Sequence, residues 1–425
     1  MKLIYKVYIC ILIFVIVLGI SISACAADKV EIKFLHRWTQ EPYSTFFNEV
    51  AADFEKLNPD ITVDVQAISN DPFKEKIKIV LGSDQAPDVF FTWPGEFTNR
   101  FIRAGQIYDL TSEMGQNGWK DTFVYSQLEP FVYNGKIYGT PYRLDGKVFV
   151  YNTKIFKEVG VEVPENYKEL VNVCKEIKDA GITPIGFGNI ADWAVSHYIG
   201  TLNQKCVPDE VRLKDIEPDK GEFTHPGYVQ ALEKYVELVP YFNKNSNAIN
   251  HDEARAALFT GTVAMMYLEI VEIPEIESSA PEEFKNNYSV FPLPPVVGGL
   301  GDQSYLTGYP EGFVVSANTK YPKEAVAFLK YLTGKEVGKK EAKELGFING
   351  IKNVVEKGEV IDSIYDTTQI VLNTEQMVNW LDSSLHAKIW SIYGPELQKL
   401  TDGSTTPEKA MENVRKAAEK VRSEF

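Results

Sequence analysis

Residues 31–65 read EIKFLHRWTQEPYSTFFNEVAADFEKLNPDITVDV. Glu31 to His36 alternate as a strand should, and Phe47, Val50, Ala51 and Phe54 follow at i, i+3, i+4 and i+7, one face of a helix. Asn58-Pro59 stops that helix, because proline disfavours helical backbone before it. Ile61, Val63 and Val65 then alternate as a second strand. Outward from there, residues 73–82 predict a helix ending at Gly82, and Pro87-Asp88-Val89-Phe90-Phe91 a short apolar strand of the kind buried on both faces. Strand, helix, strand, helix, strand is a βαβ series, which demands a mainly parallel sheet flanked by helices.

The pattern restarts beyond a turn-rich junction at Tyr138-Gly139-Thr140-Pro141-Tyr142. Lys147 to Tyr151 read as a strand, and Leu170, Cys174 and Ile177 mark a helix face that closes at Ala180-Gly181. Residues 182–187, 262–267 and 288–293 read as strands, and 226–241 and 252–259 as helices. Pro292, Pro294, Pro295, Gly298, Gly299 and Gly301 mark a crossing. Gly312 to Ser316 give a strand, and Pro322 opens a helix with Ala325, Phe328, Leu329 and Leu332 inward. Thr405-Thr406-Pro407-Glu408 announces the last helix with a cap, an early proline and an acid. The chain therefore predicts two α/β units, crossed between more than once, with a ligand cleft where they meet.

The N-terminus gives the address. Lys2 and Lys6 precede an apolar run at residues 7–20, and Ser21-Ile22-Ser23-Ala24-Cys25 follows. Positive start, apolar core and small-residue end are the parts of a secretory signal. Cys25 in that setting resembles a lipobox cysteine, with Ile22 where Leu is usual. An uncleaved membrane helix and an ordinary signal are the rival readings, and all three place the rest of the chain outside the cytoplasm. Cys174 and Cys206 then remain, either as a disulfide or as two buried thiols.

A formal net charge of −15 would be repelled by a phosphate backbone, which argues against nucleic acid as a partner. Gly186-Phe187-Gly188-Asn189-Ile190-Ala191 fits a loose dinucleotide pattern, but no clear helix start follows to hold a pyrophosphate. No phosphate-cradling loop, nucleophile elbow or calcium loop occurs. His36, His197, His225, His251 and His386 are too far apart for a local zinc pair. The absence of these motifs argues against an enzyme, and no cofactor and no metal are expected.

Several segments together carry a family resemblance. They are FFNEVAADFEKLNPDITV at 46–63, APDVFFTW at 86–93, YGTPYRLDGKVFVYNTKIFKEVGVEVPENYKEL at 138–170, and AGITPIGFGN at 180–189. The Gly261 to Met266 strand, the Tyr309 to Ser316 strand and the Thr405 to Ala410 cap continue the order. Nearly the whole mature chain thus resembles the family 1 extracellular solute-binding proteins, which include maltose-binding protein. The resemblance implies a two-lobed periplasmic-binding-protein fold, with two mainly parallel sheets joined by a multi-crossing hinge. It implies an N-terminal lobe of 31–141 with 297–355 and a C-terminal lobe of 142–296 with 356–425, behind a signal at 1–24 and a lipidated tether at 25–30. It further implies a monomer, anchored by lipid to the outer face of the cell membrane, that closes on a sugar and delivers it to the permease of an ATP-driven importer.

A sugar offers apolar ring faces and a rim of hydroxyls, so its site needs flat rings and fixed polar groups. Trp38, Trp93, Trp193 and Trp380 follow strands or turns and are the expected platforms, although a Trp is often plain packing. Gln40, Glu41, Glu96, Arg143, Asp145, Glu269, Tyr309, Glu311 and Asp382 are the expected polar contacts, although acids at loops are often helix caps. Trp119 and Trp390 read as core. The resemblance weakens at Leu268-Glu269-Ile270-Val271, where many relatives carry Gly and Trp. Two alternatives stay open: a binding protein for another solute such as a polyamine or peptide, and a secreted carbohydrate-active enzyme whose paired carboxylates cleave sugar.

Overall fold

The computed structural model describes residues 29–425, apart from 348 and 375. The apolar run at 7–20 and Cys25 lie outside the described residues. No helix of the described residues is long and apolar enough to cross a membrane.

In chain order the elements that position the cleft begin with Val30–His36 (β1), Tyr43–Leu57 (α1), Ile61–Ala67 (β2), Asn70–Val80 (α2), Val89–Thr92 (β3) and Glu96–Arg103 (α3). There follow Thr140–Arg143 (β4), Lys147–Asn152 (β5), Tyr167–Asp179 (α4), Thr183–Gly186 (β6), Trp193–Cys206 (α5), Val263–Glu269 (β7) and Tyr288–Phe291 (β8). Leu306–Thr307 (β9), Glu311–Val315 (β10), Asp362–Leu372 (α6), Met377–Val378 (β11), Leu381–Ser384 (α7) and Pro407–Arg422 (α8) complete the set.

The first sheet has the order β2-β1-β3-β10-β4. β1 is parallel to β2 and β3, as the βαβ reading requires, whereas β10 is antiparallel to β3 and β4. The second sheet runs β8-β5-β7-β6, with β6 and β7 its one parallel pair. The expectation of two mainly parallel sheets is thus corrected in detail. β10 and β4 stand at crossings between the lobes, so no local crossover helix sets their direction.

Each sheet has its own core. Phe34 on β1 meets Phe47 of α1, Phe313 of β10 and Phe328 edge-on, at 5.2–5.7 Å between centroids. Such pairs add about 0.5–1.5 kcal/mol each beyond their buried area. The second core gathers Phe149, Cys174, Ile185, Tyr198 and Leu202, and the last helix joins it through Ala410, Met411 and Val414. Thr406 caps that helix by accepting from the Lys409 amide, as Thr405-Thr406-Pro407-Glu408 predicts. Cys174 and Cys206 are both buried and remain separate thiols.

The chain passes between the lobes three times. β4 leads through Leu144–Gly146 into β5, the segment after β8 leads to β9 and β10, and β9 pairs in parallel with β11 before α7 joins the second core. Helix α6 straddles the boundary rather than lying wholly with the C-terminal lobe. Its Ile364 and Val371 enter the first core, while Ile370 packs against the small cluster around Leu258 and Met266. The Gly312 strand and the Pro322 helix both form, the latter at Pro322–Leu332 with the expected inward residues.

Candidate functional site

The C-terminal ends of β1, β3 and β4 and the start of β10 form one wall of the cleft. The opposite wall comes from the start of α5, from His251, and from the end of β7 with the residues after it. This is where open α/β sheets place ligands. Arg37, Gln40 and Arg143 from the first lobe line a cavity of about 210 Å³ together with Trp193, His251 and Glu269 of the second.

Glu311 organises the first wall. Its two oxygens accept from Arg37 Nη2 at 2.9 and 3.1 Å, Arg143 Nη2 lies 2.6 Å away, and Trp93 Nε1 donates at 3.0 Å. Burial works against its charge, but the neighbouring Arg143 and Arg37 win and hold the Glu311 carboxyl below its usual range. Trp93 therefore acts here through its indole N–H, with its ring edge-on to Phe91 at 4.6 Å. Trp38 is 3% exposed and stacks on Phe47, while the guanidiniums of Arg37 and Arg143 cover its ring at 4.8 and 5.6 Å. Trp38 thus lines the cavity with its ring covered rather than open. The indole is a floor under two arginines, because the segment after β1 turns that side chain into the Phe47–Tyr142 cluster.

On the second wall Glu269 ends β7 and lies 3.8 Å from Lys147 Nζ and 3.5 Å from His197 Nδ1. Burial and the nearby Lys147 push the His197 imidazole far below its ordinary value, so it is neutral. The half-buried Trp193 ring lies between His197 at 5.2 Å and His251 at 4.9 Å. His251 Nε2 in turn stands 2.7 Å from Glu272. Trp380 is buried, with its ring 4.2 Å from His197. Asp382 accepts from Ser196 Oγ at 2.9 Å, and burial raises its carboxyl to about 6. Neither Trp380 nor Asp382 lines the cavity.

Asp145 sits at the first crossing, where its carboxylate accepts from the Gly146 amide at 2.8 Å. Burial first, and then Glu269, raise it well above the ordinary carboxylate range. Three expected contacts lie elsewhere. Glu96 begins α3 and pairs with Arg103, with 3.0 Å between Oε2 and Nη1, and Glu41 accepts from the Thr45 amide at 3.2 Å as a helix-end partner. Tyr309 packs on the first core. Acids in a first helical turn satisfy free amides and the helix dipole, which is their commonest use.

Arg37, Tyr43, Lys147 and His251 belong to the site without having been expected there. Arg37 could have been found, since it shares the strand end with Trp38. His251 could not, because its sequence neighbours show only a helix start. The glycine turn at 186–188 also differs from expectation: a helix does follow it, at Trp193. α5 is buried on nearly every face, so it has no apolar period to read. Gly188 is there for close packing, since a Cβ would stand 2.1 Å from the Asn250 carbonyl oxygen.

Comparison with known proteins agrees with this geometry. The family model described as bacterial extracellular solute-binding protein matches residues 38–339. The multiple sugar-binding protein of Streptococcus mutans is 24% identical over 326 residues, covering 73% of each chain. The arabinooligosaccharide-binding protein of Bacillus subtilis is 24% identical over 402 residues, covering 86% of each. Among solved structures, one from work on xylan utilization by Caldanaerobius polysaccharolyticus superposes with a TM-score of 0.80 at 26% identity, covering 91% of this chain and 99% of that one. A chitin oligosaccharide binding protein gives 0.81 at 22% identity, covering 93% of this chain and 100% of that one.

Proposed function

The chain belongs to the bacterial extracellular solute-binding proteins, and from that premise we propose that it captures a carbohydrate between its lobes and hands it to an importer permease. The observation that carries this reading is the make-up of the cleft. Guanidinium donors of Arg37 and Arg143 face it from one lobe, and the Glu269 carboxylate and the Trp193 ring from the other. A sugar hydroxyl both donates and accepts, so it meets both walls, while the indole takes a ring face. Relatives whose names state sugar binding support the same class. A polyamine would meet the Glu269, Glu272 and Glu275 carboxylates but also two guanidiniums, whereas sugar hydroxyls suit both signs of charge.

The protein is a binding protein and no enzyme in this reading. It works as a monomer on the outer face of the cell membrane, held by a lipid on Cys25. Ligand favours closure because it touches both walls. The test is thermal unfolding of residues 26–425 against panels of sugars, amino acids and polyamines. A ligand at 100 times its Kd stabilises the native state by about 2.7 kcal/mol. Stabilisation by a sugar recovered intact supports the proposal. Stabilisation by amines alone, or cleavage of the sugar, overturns it.

A further inference from the structure

Four open tryptophan platforms would suit a ligand of several rings. The cleft is built differently. Trp38 is roofed by two guanidiniums, Trp380 is buried against His197, and Trp93 turns its N–H to Glu311. Of the four, Trp38 and Trp193 line the cavity, and Trp193 alone of that pair is not fully buried.

The polar groups are arranged for an edge rather than a face. Glu311 engages Nη2 of both Arg37 and Arg143, which fixes the two guanidiniums side by side over Trp38. Glu269 lines the same cavity from the other lobe. A sugar between them donates hydroxyl protons to Glu269 and accepts from the arginines. Only one ring face then has an indole to rest on.

Resting on the carbohydrate reading, we infer that this site takes a short saccharide of one or two rings, gripped along its hydroxyl edge by Arg37, Arg143 and Glu269 with Trp193 as its single open indole. A third ring finds no second open indole in the cavity and adds little. Arg37 is thus a specificity-determining residue, and lysine, a point charge without the planar fork, does not replace it.

The experiment is titration calorimetry on residues 26–425 with xylo-, arabino-, malto- and chito-oligosaccharide series of one to six rings. The expected result is a best affinity reached by two rings, with less than about a tenfold gain from two rings to four. A gain of tenfold or more overturns the short-ligand inference while leaving the carbohydrate reading standing. Absence of binding in every series overturns the carbohydrate reading itself. Arg37→Lys, its unfolding temperature measured alongside, is expected to weaken the best ligand about tenfold or more. Unchanged affinity in a folded variant removes Arg37 from the grip.

Discussion

A Cβ placed on Gly308 would stand 2.4 Å from the Cα of Gly146, so two of the three chain crossings touch backbone to backbone. Gly308 also has φ +151°, and its amide donates to the Val378 carbonyl of the third crossing at 2.9 Å. The three crossings form one knot around a residue that only glycine fits.

Gly308→Ala is therefore expected to destabilise the protein by about 1–3 kcal/mol through overpacking, read as a lower urea midpoint. Gly146→Ala is the comparison. Its Cβ meets the Leu306 Cδ2 at 2.7 Å, a side-chain end that can swing, so the loss is smaller. Equal losses would remove the backbone contact as the cause.

The Gly95 turn meets the third crossing at Asn379. A Cβ there would lie 2.3 Å from Asn379 Nδ2, and φ is +88°. The turn precedes α3 in the first lobe, and Asn379 leads into α7, which packs on the second. Gly95→Ala is expected to weaken ligand binding about tenfold, and Gly95→Ala with Asn379→Ala to recover part of it. Calorimetry on the two variants checks this, and no recovery would assign the loss to backbone strain alone.

Glu311→Gln leaves Arg37 and Arg143 side by side without their counter-charge, at an expected cost of about 3–5 kcal/mol at pH 7. The native carboxyl is held below its usual range, so its stabilisation is present above the unfolded value and lost as pH falls through the native one. The gap between parent and variant should narrow in urea titrations as the pH drops toward 3.

Glu341, on the helix Lys335–Glu344, carries the opposite sign. It is fully buried, and burial lifts its carboxyl to about 8 against the pull of Tyr142 and Arg143. The native state keeps a proton that the unfolded chain releases above about pH 4, so stability falls as pH rises from there to about 8. Glu341→Gln stays neutral throughout. It is expected to flatten that slope and to exceed the parent by a few kcal/mol near pH 8, measured by urea unfolding.

Local rules made much of the fold legible. The Phe47-Val50-Ala51-Phe54 face, the Asn58-Pro59 stop and the Thr406 cap all depend on neighbours within a turn or two. Strand direction at β10 depends on a crossing far along the chain, which no local pattern records. In the site, Arg143 and Glu269 reach the cavity because their strand ends point there, Gln40 from the loop after β1 and Trp193 from the start of α5. Glu41 and Glu96 do not, because an acid near a helix start looks the same whether it faces a ligand or an amide. Trp38 illustrates a further limit, since the irregular segment after β1 has no period from which the facing of a ring can be read.

The direction of β1 has a mechanical consequence. It runs from Val30 toward the cleft at His36, a span of seven residues or about 23 Å, between two parallel neighbours. Any tension reaching the lobe through the chain before residue 29 pulls on the end of β1 farthest from the cleft. That load runs along the strand, so it must shear the whole seven-residue ladder with β2 at once instead of peeling it bond by bond. The rear of the sheet can bear a tug while the mouth of the cleft stays unloaded and free to open.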